Sequence, residues 1–208
     1  MIDPEDDVDE TLPVAGTVVL LRPSRKGFEV LLMRRPDRGS FAGAWVFPGG
    51  KVEDTDVREG DGEIENARRA GIRETFEEVG LLVDGLVALS RWSPPREAPT
   101  RIRTWFFLAT APDHRPEPSA DEVAELIWAS PAEALARHGA GEWRLFPPTW
   151  VTLHTLSAFT DVPSALSSGA GVESFRTRVL DGGGAFAWDQ GRLEAETLPW
   201  RFVASDLS

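Results

Sequence analysis

The sequence predicts a protein of the α/β or α+β class, with strands and helices in one domain. Runs rich in β-branched residues at 14–21 and 29–33 lack helical periodicity and are separated by turn residues, which predicts a pair of buried strands. Ile72, Phe76 and Val79 recur at helical spacing, which predicts an amphipathic helix with one buried stripe. The presence of both patterns in one chain is the basis for this class.

Further elements follow the predicted helix. Strands are predicted at 86–92 and 101–109, separated by a proline-rich loop. Ser130 followed by Pro131 predicts the start of a short helix, since serine caps helices and proline fits their first position. Another helix is predicted to begin at 147 and to end by 159.

The chain length predicts one main domain with additions at both ends. A chain of 208 residues with 41% hydrophobic content can form one well-packed domain but not two large ones. We expect a disordered acidic leader over 1–11, the domain over 12–160 and a C-terminal extension over 161–208. Glycine-rich breakers surround short strand candidates at 175–180 and 185–188 in the extension. They predict a β-hairpin packed on the domain or on a partner subunit, so a homodimer is possible.

Composition excludes several classes of function. The net charge of −12 argues against general binding to nucleic acids or anionic membranes. The absence of cysteine excludes disulfides, thiolate metal sites and thiol nucleophiles. The sequence has neither a signal peptide pattern nor an apolar run of transmembrane length. We therefore expect a cytoplasmic protein, neither nucleic-acid-binding nor membrane-bound.

Three glutamates lie within one turn of each other on the predicted helix. Glu77 and Glu78 follow Glu74 by three and four residues, which places the carboxylates on one face. Each like-charge pair at this spacing costs about 0.2–0.5 kcal/mol. A hard divalent cation such as Mg²⁺ would remove this repulsion and leave room for substrate phosphates. Gly80 follows, where positive φ can end the helix.

The glutamate cluster belongs to a longer pattern. The sequence reads Phe-Pro-Gly-Gly at 47–50 and Arg-Glu-Thr-Phe-Glu-Glu-Val-Gly-Leu at 73–81. This pattern resembles the box of the Nudix hydrolase family, Gly-x5-Glu-x7-Arg-Glu-U-x-Glu-Glu-x-Gly-U, with U a bulky apolar residue. The resemblance implies an α/β/α sandwich with a mixed sheet. It also implies hydrolysis of the diphosphate bond of a nucleotide-type small molecule, with Mg²⁺ or Mn²⁺ as cofactor.

The resemblance implies roles for particular residues. The candidate general base is one of the clustered carboxylates or Glu122. Glu122, in an acidic loop, is also a candidate for a further metal ligand, ahead of Glu125. Arg73 is expected to pair with Glu77 and to orient it. The catalytic candidates are Arg73, Glu74, Glu77, Glu78 and Glu122. The metal-ligand candidates are the side chains of Glu74, Glu77 and Glu78 and the backbone carbonyl of Gly49.

Substrate binding is expected from arginine, lysine and aromatic side chains near these motifs. Arg34 and Arg35 either contact phosphate or face solvent at a strand end. Arg103 with Trp105 could hold a phosphate and stack a base, although such an aromatic is more often part of a core. The substrate-binding candidates are Arg34, Arg35, Lys51, Arg103 and Trp105.

The middle of the box departs from the family pattern. Sixteen residues separate Asp56, which follows the five-residue spacer after Gly50, from Arg73, where the family has seven. Counting back from Arg73 instead selects Glu65. We therefore predict a surface insertion at 53–62 and take Glu65 as the counterpart of the family's first glutamate. Thr75 replaces the usual leucine or isoleucine.

The insertion resembles the branch of the family that includes coenzyme A diphosphatases. Segments 31–35 and 43–50 agree in part with the extended motif of coenzyme A-cleaving members. Coenzyme A or its thioesters is therefore the leading substrate, followed by ADP-ribose, other nucleotide sugars and dinucleoside polyphosphates. A non-catalytic nucleotide sensor is the alternative of another class, but it would be expected to have eroded metal residues. An isoprenoid diphosphate isomerase would need a catalytic cysteine, which this chain lacks.

Overall fold

The computed structural model describes residues 11–39 and 41–205, in which twelve strands and four α-helices form. The expected leader, apart from Thr11, lies outside the described residues. None of the helices in the described ranges is long and apolar enough to cross a membrane. The helices are α1 (Glu63–Val79), α2 (Pro131–Gly139), α3 (Pro147–Leu156) and α4 (Val162–Ser167). The strands are β1 (Val14–Ser24), β2 (Gly27–Arg34), β3 (Trp45–Val46), β4 (Gly49–Lys51), β5 (Val87–Ser93), β6 (Arg103–Thr110), β7 (Glu125–Ala129), β8 (Glu173–Arg176), β9 (Arg178–Leu180), β10 (Ala185–Trp188), β11 (Gly191–Glu194) and β12 (Arg201–Ala204).

The larger sheet is mixed, as predicted. Its strand order is β3-β2-β1-β6-β5-β8, with β4 also paired with β1 and β7 with β2. The β1–β6 and β5–β8 pairs are parallel, and the remaining pairs are antiparallel. The central position of β1 explains its long run of apolar residues, because neighbours cover both of its edges and helices cover both of its faces.

Two apolar cores lie on opposite faces of this sheet. One core contains buried side chains of α1 together with Phe107 of β6. The other contains side chains of α2, α3 and α4 together with Phe106, the preceding residue of the same strand. Successive strand residues point to opposite faces, so both faces of β6 are buried. The result is a three-layer α/β/α sandwich, which confirms the predicted fold class.

Helix α1 ends where the sequence predicts, but its buried face differs from the prediction. Gly80 has a φ of 69°, and its N–H donates to the carbonyl oxygen of Phe76 at 2.9 Å. The prediction that Phe76 lies in the buried stripe is wrong, because its side chain is 51% exposed. The buried residues of α1 are Ala67, Ala70, Gly71, Thr75, Glu78 and Val79. Most are small, which indicates unusually close packing on the sheet.

This close packing centres on Gly16 of β1. A Cβ atom at position 16 would lie 1.8 Å from the carbonyl oxygen of Ala67, a backbone atom of α1. Opposite it, Gly71 also lacks a side chain and lies against Val18. The helix backbone therefore rests almost directly on the strand. This contact fixes the height of α1 above the sheet and thereby positions the carboxylates on its other turns.

Replacing Gly16 by alanine should destabilise the protein. The added methyl group would force the helix and strand backbones apart, and overpacking of this kind costs about 1–3 kcal/mol. We expect Gly16→Ala to lower the free energy of unfolding by about 3 kcal/mol in urea denaturation, the upper part of that range. Gly171→Ala is the control, because a Cβ there has no neighbour within 4 Å. Equal stability of the two variants would contradict the close packing.

The C-terminal region packs on the domain itself. Strand β8 joins the larger sheet parallel to β5 and stacks Phe175 on Trp92, with ring centroids 4.0 Å apart. Trp188 of β10 meets Trp92 edge-on at 5.4 Å. Strands β9 and β10 pair antiparallel around the turn at 181–184, and β11 and β12 complete a separate four-stranded sheet. This packing does not require a partner subunit.

Candidate active site

The candidate site forms where α1 crosses β4. Strand β4 pairs with β1, and its two glycines let the helix approach the backbone. A Cβ atom on Gly50 would lie 2.2 Å from the carboxyl carbon of Glu74. Glycine at this position therefore lets the Glu74 carboxylate lie against the β4 backbone. Gly50 of the Pro-Gly-Gly sequence is therefore needed for packing against Glu74 as well as for the turn.

Glu78 is the buried member of the glutamate cluster, with only 2% of its surface exposed. Its Oε2 accepts a hydrogen bond from the N–H of Gly49 at 2.8 Å, and its Oε1 accepts one from Nη1 of Arg35 at 2.8 Å. Burial raises the pKa of Glu78 to about 8, although both hydrogen bonds oppose this rise. Glu78 thus joins the end of β2, the glycine turn and α1.

Arg73 connects the remaining carboxylates. It donates to Oε1 of Glu74 at 3.0 Å and to Oε2 of Glu77 at 2.9 Å. A further bond reaches the backbone carbonyl of Lys51 at 2.9 Å. The Arg73–Glu77 pair at i, i+4 has the geometry that the sequence predicts. A single positive group therefore holds two like-charged side chains against the end of β4.

Asp56 completes the coordination of Arg73, and here the sequence interpretation is wrong. Nη2 of Arg73 donates to Oδ2 of Asp56 at 2.9 Å, and Asp56 is only 4% exposed. Glu65, the predicted counterpart, instead pairs with Arg68 at 3.3 Å on the outer side of α1. Burial opposes ionisation of Asp56, but hydrogen bonds from Arg73 and the Glu53 N–H outweigh it, so the pKa of Asp56 lies below its ordinary value.

The insertion therefore begins after Asp56. Residues 57–62 are exposed, as a surface loop should be, whereas Asp56 lies in a 3-10 turn that folds back onto α1. The five-residue spacer after Gly50 was the signal that identified Asp56. Counting back from Arg73 selected Glu65 instead of Asp56, because the extra residues lie between Asp56 and Arg73.

Glu122 lies in a loop beside this cluster. The loop is attached to the end of α1 by a hydrogen bond from the N–H of Ser119 to the carbonyl oxygen of Glu78 at 2.8 Å. Burial raises the pKa of Glu74, and the negative charges of Glu77 and Glu122 add to this rise. As predicted, Glu122 precedes β7, whereas Glu125 lies within it. The structure thus brings Glu122 close enough to influence the cluster.

The arginines at the end of β2 differ in position. Arg35 reaches the cluster through Glu78, and its side chain is 34% exposed. Arg34 points to the neighbouring loop and strand, where it contacts Asp37 at 3.1 Å and Glu125 at 3.7 Å. The side chain of Lys51 is exposed beside the site. Arg35 and Lys51 are therefore the better placed of these three substrate-binding candidates.

Arg103 and Trp105 lie apart from the glutamate cluster and contact the start of α1. The Arg103 side chain is 4% exposed and forms an ion pair with Glu63, which also accepts a bond from Nε1 of Trp105 at 2.7 Å. Glu63 begins α1 and precedes Glu74 by eleven residues, about 16 Å along a helix. Their contacts attach the start of α1 to β6. These two residues therefore have a structural role in this arrangement.

The donor set fits a hard divalent cation. Glu74, Glu77 and Glu78 lie within about one turn of α1, the Glu78 carboxylate accepts from the Gly49 N–H, and oxygen is the donor that Mg²⁺ and Mn²⁺ favour. Among residues 11–39 and 41–205, no three acidic or histidine side chains already converge as a metal site. The reason is visible in the contacts, because Arg35 and Arg73 engage these carboxylates.

Comparison with known proteins identifies the family. A model of the NUDIX domain matches residues 11–148, about two thirds of the chain. The chain belongs to the Nudix hydrolase family. The CTP pyrophosphohydrolase of Escherichia coli K12 is 36% identical over 110 residues, which cover 51% of this chain and 70% of that protein. A protein named as nudix hydrolase 7 of Caenorhabditis elegans is 28% identical over 189 residues, 71% of this chain but only 61% of that relative's length.

Solved Nudix structures share the fold. A NUDIX hydrolase from Alicyclobacillus acidocaldarius superposes with a TM-score of 0.68 at 24% identity, over 75% of this chain and 96% of that one. The NUDIX domain of Shewanella oneidensis NrtR, solved with ADP ribose, gives 0.55 at 17% identity over 75% and 92% of the two chains. At these identities the likeness establishes the fold, including the sandwich around α1.

Replacing Gly50 by alanine should abolish activity without unfolding the protein. The new methyl group would displace the Glu74 carboxylate, which is the flexible end of a side chain, and would meet no backbone atom as its nearest contact. We expect turnover to fall more than about 10-fold, the lower bound for a misplaced ligand. Thermal unfolding should remain within a few degrees of the parent. Full activity in Gly50→Ala would show that Glu74 need not lie against β4.

The pKa of Glu78 predicts that cation binding depends on pH. Only the ionised carboxylate ligates a cation, so binding must release the proton that Glu78 holds below about pH 8. Affinity for Mn²⁺, measured by calorimetry, should increase up to about 10-fold per pH unit below 8 and level off above it. Glu78→Gln should bind more weakly and lose most of this slope. The same slope in both proteins would exclude Glu78 as its source.

Proposed function

We propose that the protein hydrolyses the diphosphate bond of a nucleotide-derived small molecule with the help of Mg²⁺ or Mn²⁺. The observation that carries this proposal is the Arg73 network, in which Glu74 and Glu77 are held beside β4 and the buried Glu78 lies one turn away. Family members generally use a divalent cation. A group of ionisable side chains with raised pKa values in one place also favours a catalytic site over a solvated helix face.

Each residue of the site would have a distinct role in this reaction. Glu74, Glu77 and Glu78, with the Gly49 carbonyl, would hold the cation, which neutralises diphosphate charge and lowers the pKa of water when bound. Arg73 orients Glu74 and Glu77 and does not contact substrate. A carboxylate oxygen of Glu122 accepts the proton of the attacking water. The water oxygen bonds to phosphorus while the bond from phosphorus to the bridging oxygen breaks.

Coenzyme A and its thioesters remain our proposed substrates. Supporting this choice, the two segments that resemble the coenzyme A motif meet in the fold, because Met33 and Arg34 of β2 pair with Val46 and Trp45 of β3. The strands lead from this pair to Arg35 and to the glycine turn on either side of the cluster. In this proposal Arg35 and Lys51 contact substrate phosphates.

A second candidate is hydrolysis of a nucleoside triphosphate to its monophosphate. It is favoured by the 36% identity to a relative named as a CTP pyrophosphohydrolase, which exceeds that of the other relatives described above. The same cluster would serve either reaction, since both break a bond between phosphorus and a bridging oxygen. The residues around the nucleoside would then determine which compound binds.

A substrate panel separates these candidates. Purified protein with Mg²⁺ or Mn²⁺ would be incubated with coenzyme A, CTP, ADP-ribose and a diadenosine polyphosphate, and the products separated by ion-exchange chromatography. We expect the highest kcat/KM with coenzyme A. A preference for CTP would support the second candidate, and a lack of turnover with every compound would support the non-catalytic sensor.

Loss of a single carboxylate should abolish turnover. We expect Glu77→Gln and Glu78→Gln each to lower kcat by more than about 100-fold, because a cation ligand contributes more than the groups that orient it. Glu65→Gln is the matched control, since Glu65 lies on the same helix but pairs outward with Arg68. It should retain parental kcat. Parental activity in both Glu77→Gln and Glu78→Gln would rule out this site.

A further inference from the structure

The side chain of Arg69 on α1 binds the insertion that separates the two halves of the Nudix box. Its Nε donates to the backbone carbonyl of Asp56 at 2.6 Å. Its Nη1 forms an ion pair with Asp61 of the insertion at 2.8 Å, and its Nη2 donates to Asn66 at 2.6 Å. Only 19% of the Arg69 side chain is exposed. Two donors of one guanidinium thus bind the two ends of the inserted segment, and the third donor binds Asn66 on α1 itself.

Arg69 and Arg73 lie one helical turn apart and hold Asp56 between them. Arg69 binds the backbone of Asp56, and Arg73 binds its carboxylate. Two arginines at i, i+4 repel each other on an isolated helix, so their juxtaposition needs an anion. Asp56 supplies it, and the positive charge of Arg69 contributes to the lowered pKa of Asp56.

The spacing of the box explains why such an attachment is needed. With sixteen residues between Asp56 and Arg73, the connection is more than twice as long as the seven of the family pattern. A longer loop has more conformations to lose before Asp56 meets Arg73. Contacts that order the loop compensate for this loss. Arg69 makes two of them, to Asp56 and Asp61, within one side chain.

We propose that Arg69 is a positioning residue. By binding the backbone of Asp56 it holds the Asp56 carboxylate against Arg73, so that the inserted segment contributes to the geometry of the catalytic site. The connection runs from Asp61 through Arg69 and Asp56 to Arg73, which in turn holds Glu77. The insertion thereby sets the orientation of a cation ligand without touching substrate. This inference rests on the proposed function of the same glutamate cluster.

Arg69→Ala tests the inference, with Arg68→Ala as the matched control. Arg68 is the neighbouring residue on α1 and is similarly half-buried, but it binds the Leu86 carbonyl and Glu65 and makes no contact with Asp56. We expect Arg69→Ala to weaken Mn²⁺ binding and to lower kcat by about 10-fold, the usual cost of losing a group that orients a ligand, with KM unchanged. Arg68→Ala should change neither, whatever its effect on stability.

Two further variants separate positioning from a merely structural role. Asp61→Asn removes one partner from the exposed loop and should reproduce part of the Arg69→Ala effect on Mn²⁺ affinity, even if Arg69→Ala fails to fold. In an Asp56→Asn background, Arg69→Ala should add no further loss of affinity, because the two residues act in one connection. Additive losses would overturn the inference, as would a lowered melting temperature with parental Mn²⁺ affinity in Arg69→Ala.

Failure of the proposed function gives a different result. If no compound in the substrate panel is hydrolysed, the calorimetric comparison of Arg69→Ala with Arg68→Ala still reports on the role of Arg69. If Glu78→Gln is inactive while Arg69→Ala has parental kcat and Mn²⁺ affinity, the catalytic site stands and the role of Arg69 is rejected. The proposed hydrolysis and the proposed role of Arg69 can therefore be rejected independently.

Discussion

The guanidinium of Arg73 is the interaction on which the candidate site depends. Glutamates placed three and four residues apart repel each other, by about 0.2–0.5 kcal/mol for each pair. Arg73 offsets this repulsion by binding Glu74 and Glu77 at once, and it anchors them to β4 through the Lys51 carbonyl and to the preceding turn through Asp56. Its five fixed donors suit this task, which the single ammonium group of a lysine could not perform.

The packing of α1 on the sheet makes this geometry possible. Gly16 allows the helix backbone to rest on β1, and Gly50 allows the Glu74 carboxylate to rest on β4. At that distance Glu78 reaches the N–H of Gly49 and becomes buried, and burial raises its pKa. The small residues of α1 therefore matter because they allow the helix to lie close to the sheet, although none of them takes part in chemistry.

Local patterns predicted the fold class, the longer strands of the mixed sheet, the end of α1 at Gly80 and the three neighbouring glutamates, because these follow from periodicity and turn chemistry within a short window. Strands β3, β4, β11 and β12 were not predicted. Contacts between residues far apart in the sequence could not be predicted in the same way. Phe76 has helical spacing but faces solvent, and the residues that α1 buries in its place are mostly small. Asp56 meets Arg73 across seventeen positions, and Arg103 is matched to Glu63 across forty, distances at which sequence spacing carries no geometric information.

We infer that these carboxylates form one cation site ordered by Arg73. Anomalous diffraction from crystals of the full chain soaked in Mn²⁺ tests it most directly, because the signal locates the ion without reference to activity. We expect a peak within about 2.0–2.6 Å of oxygens from Glu74, Glu77 or Glu78, the range for hard cations, with Arg73 still bound to Asp56. A map without a peak there, or with the three carboxylates turned to solvent, would contradict it.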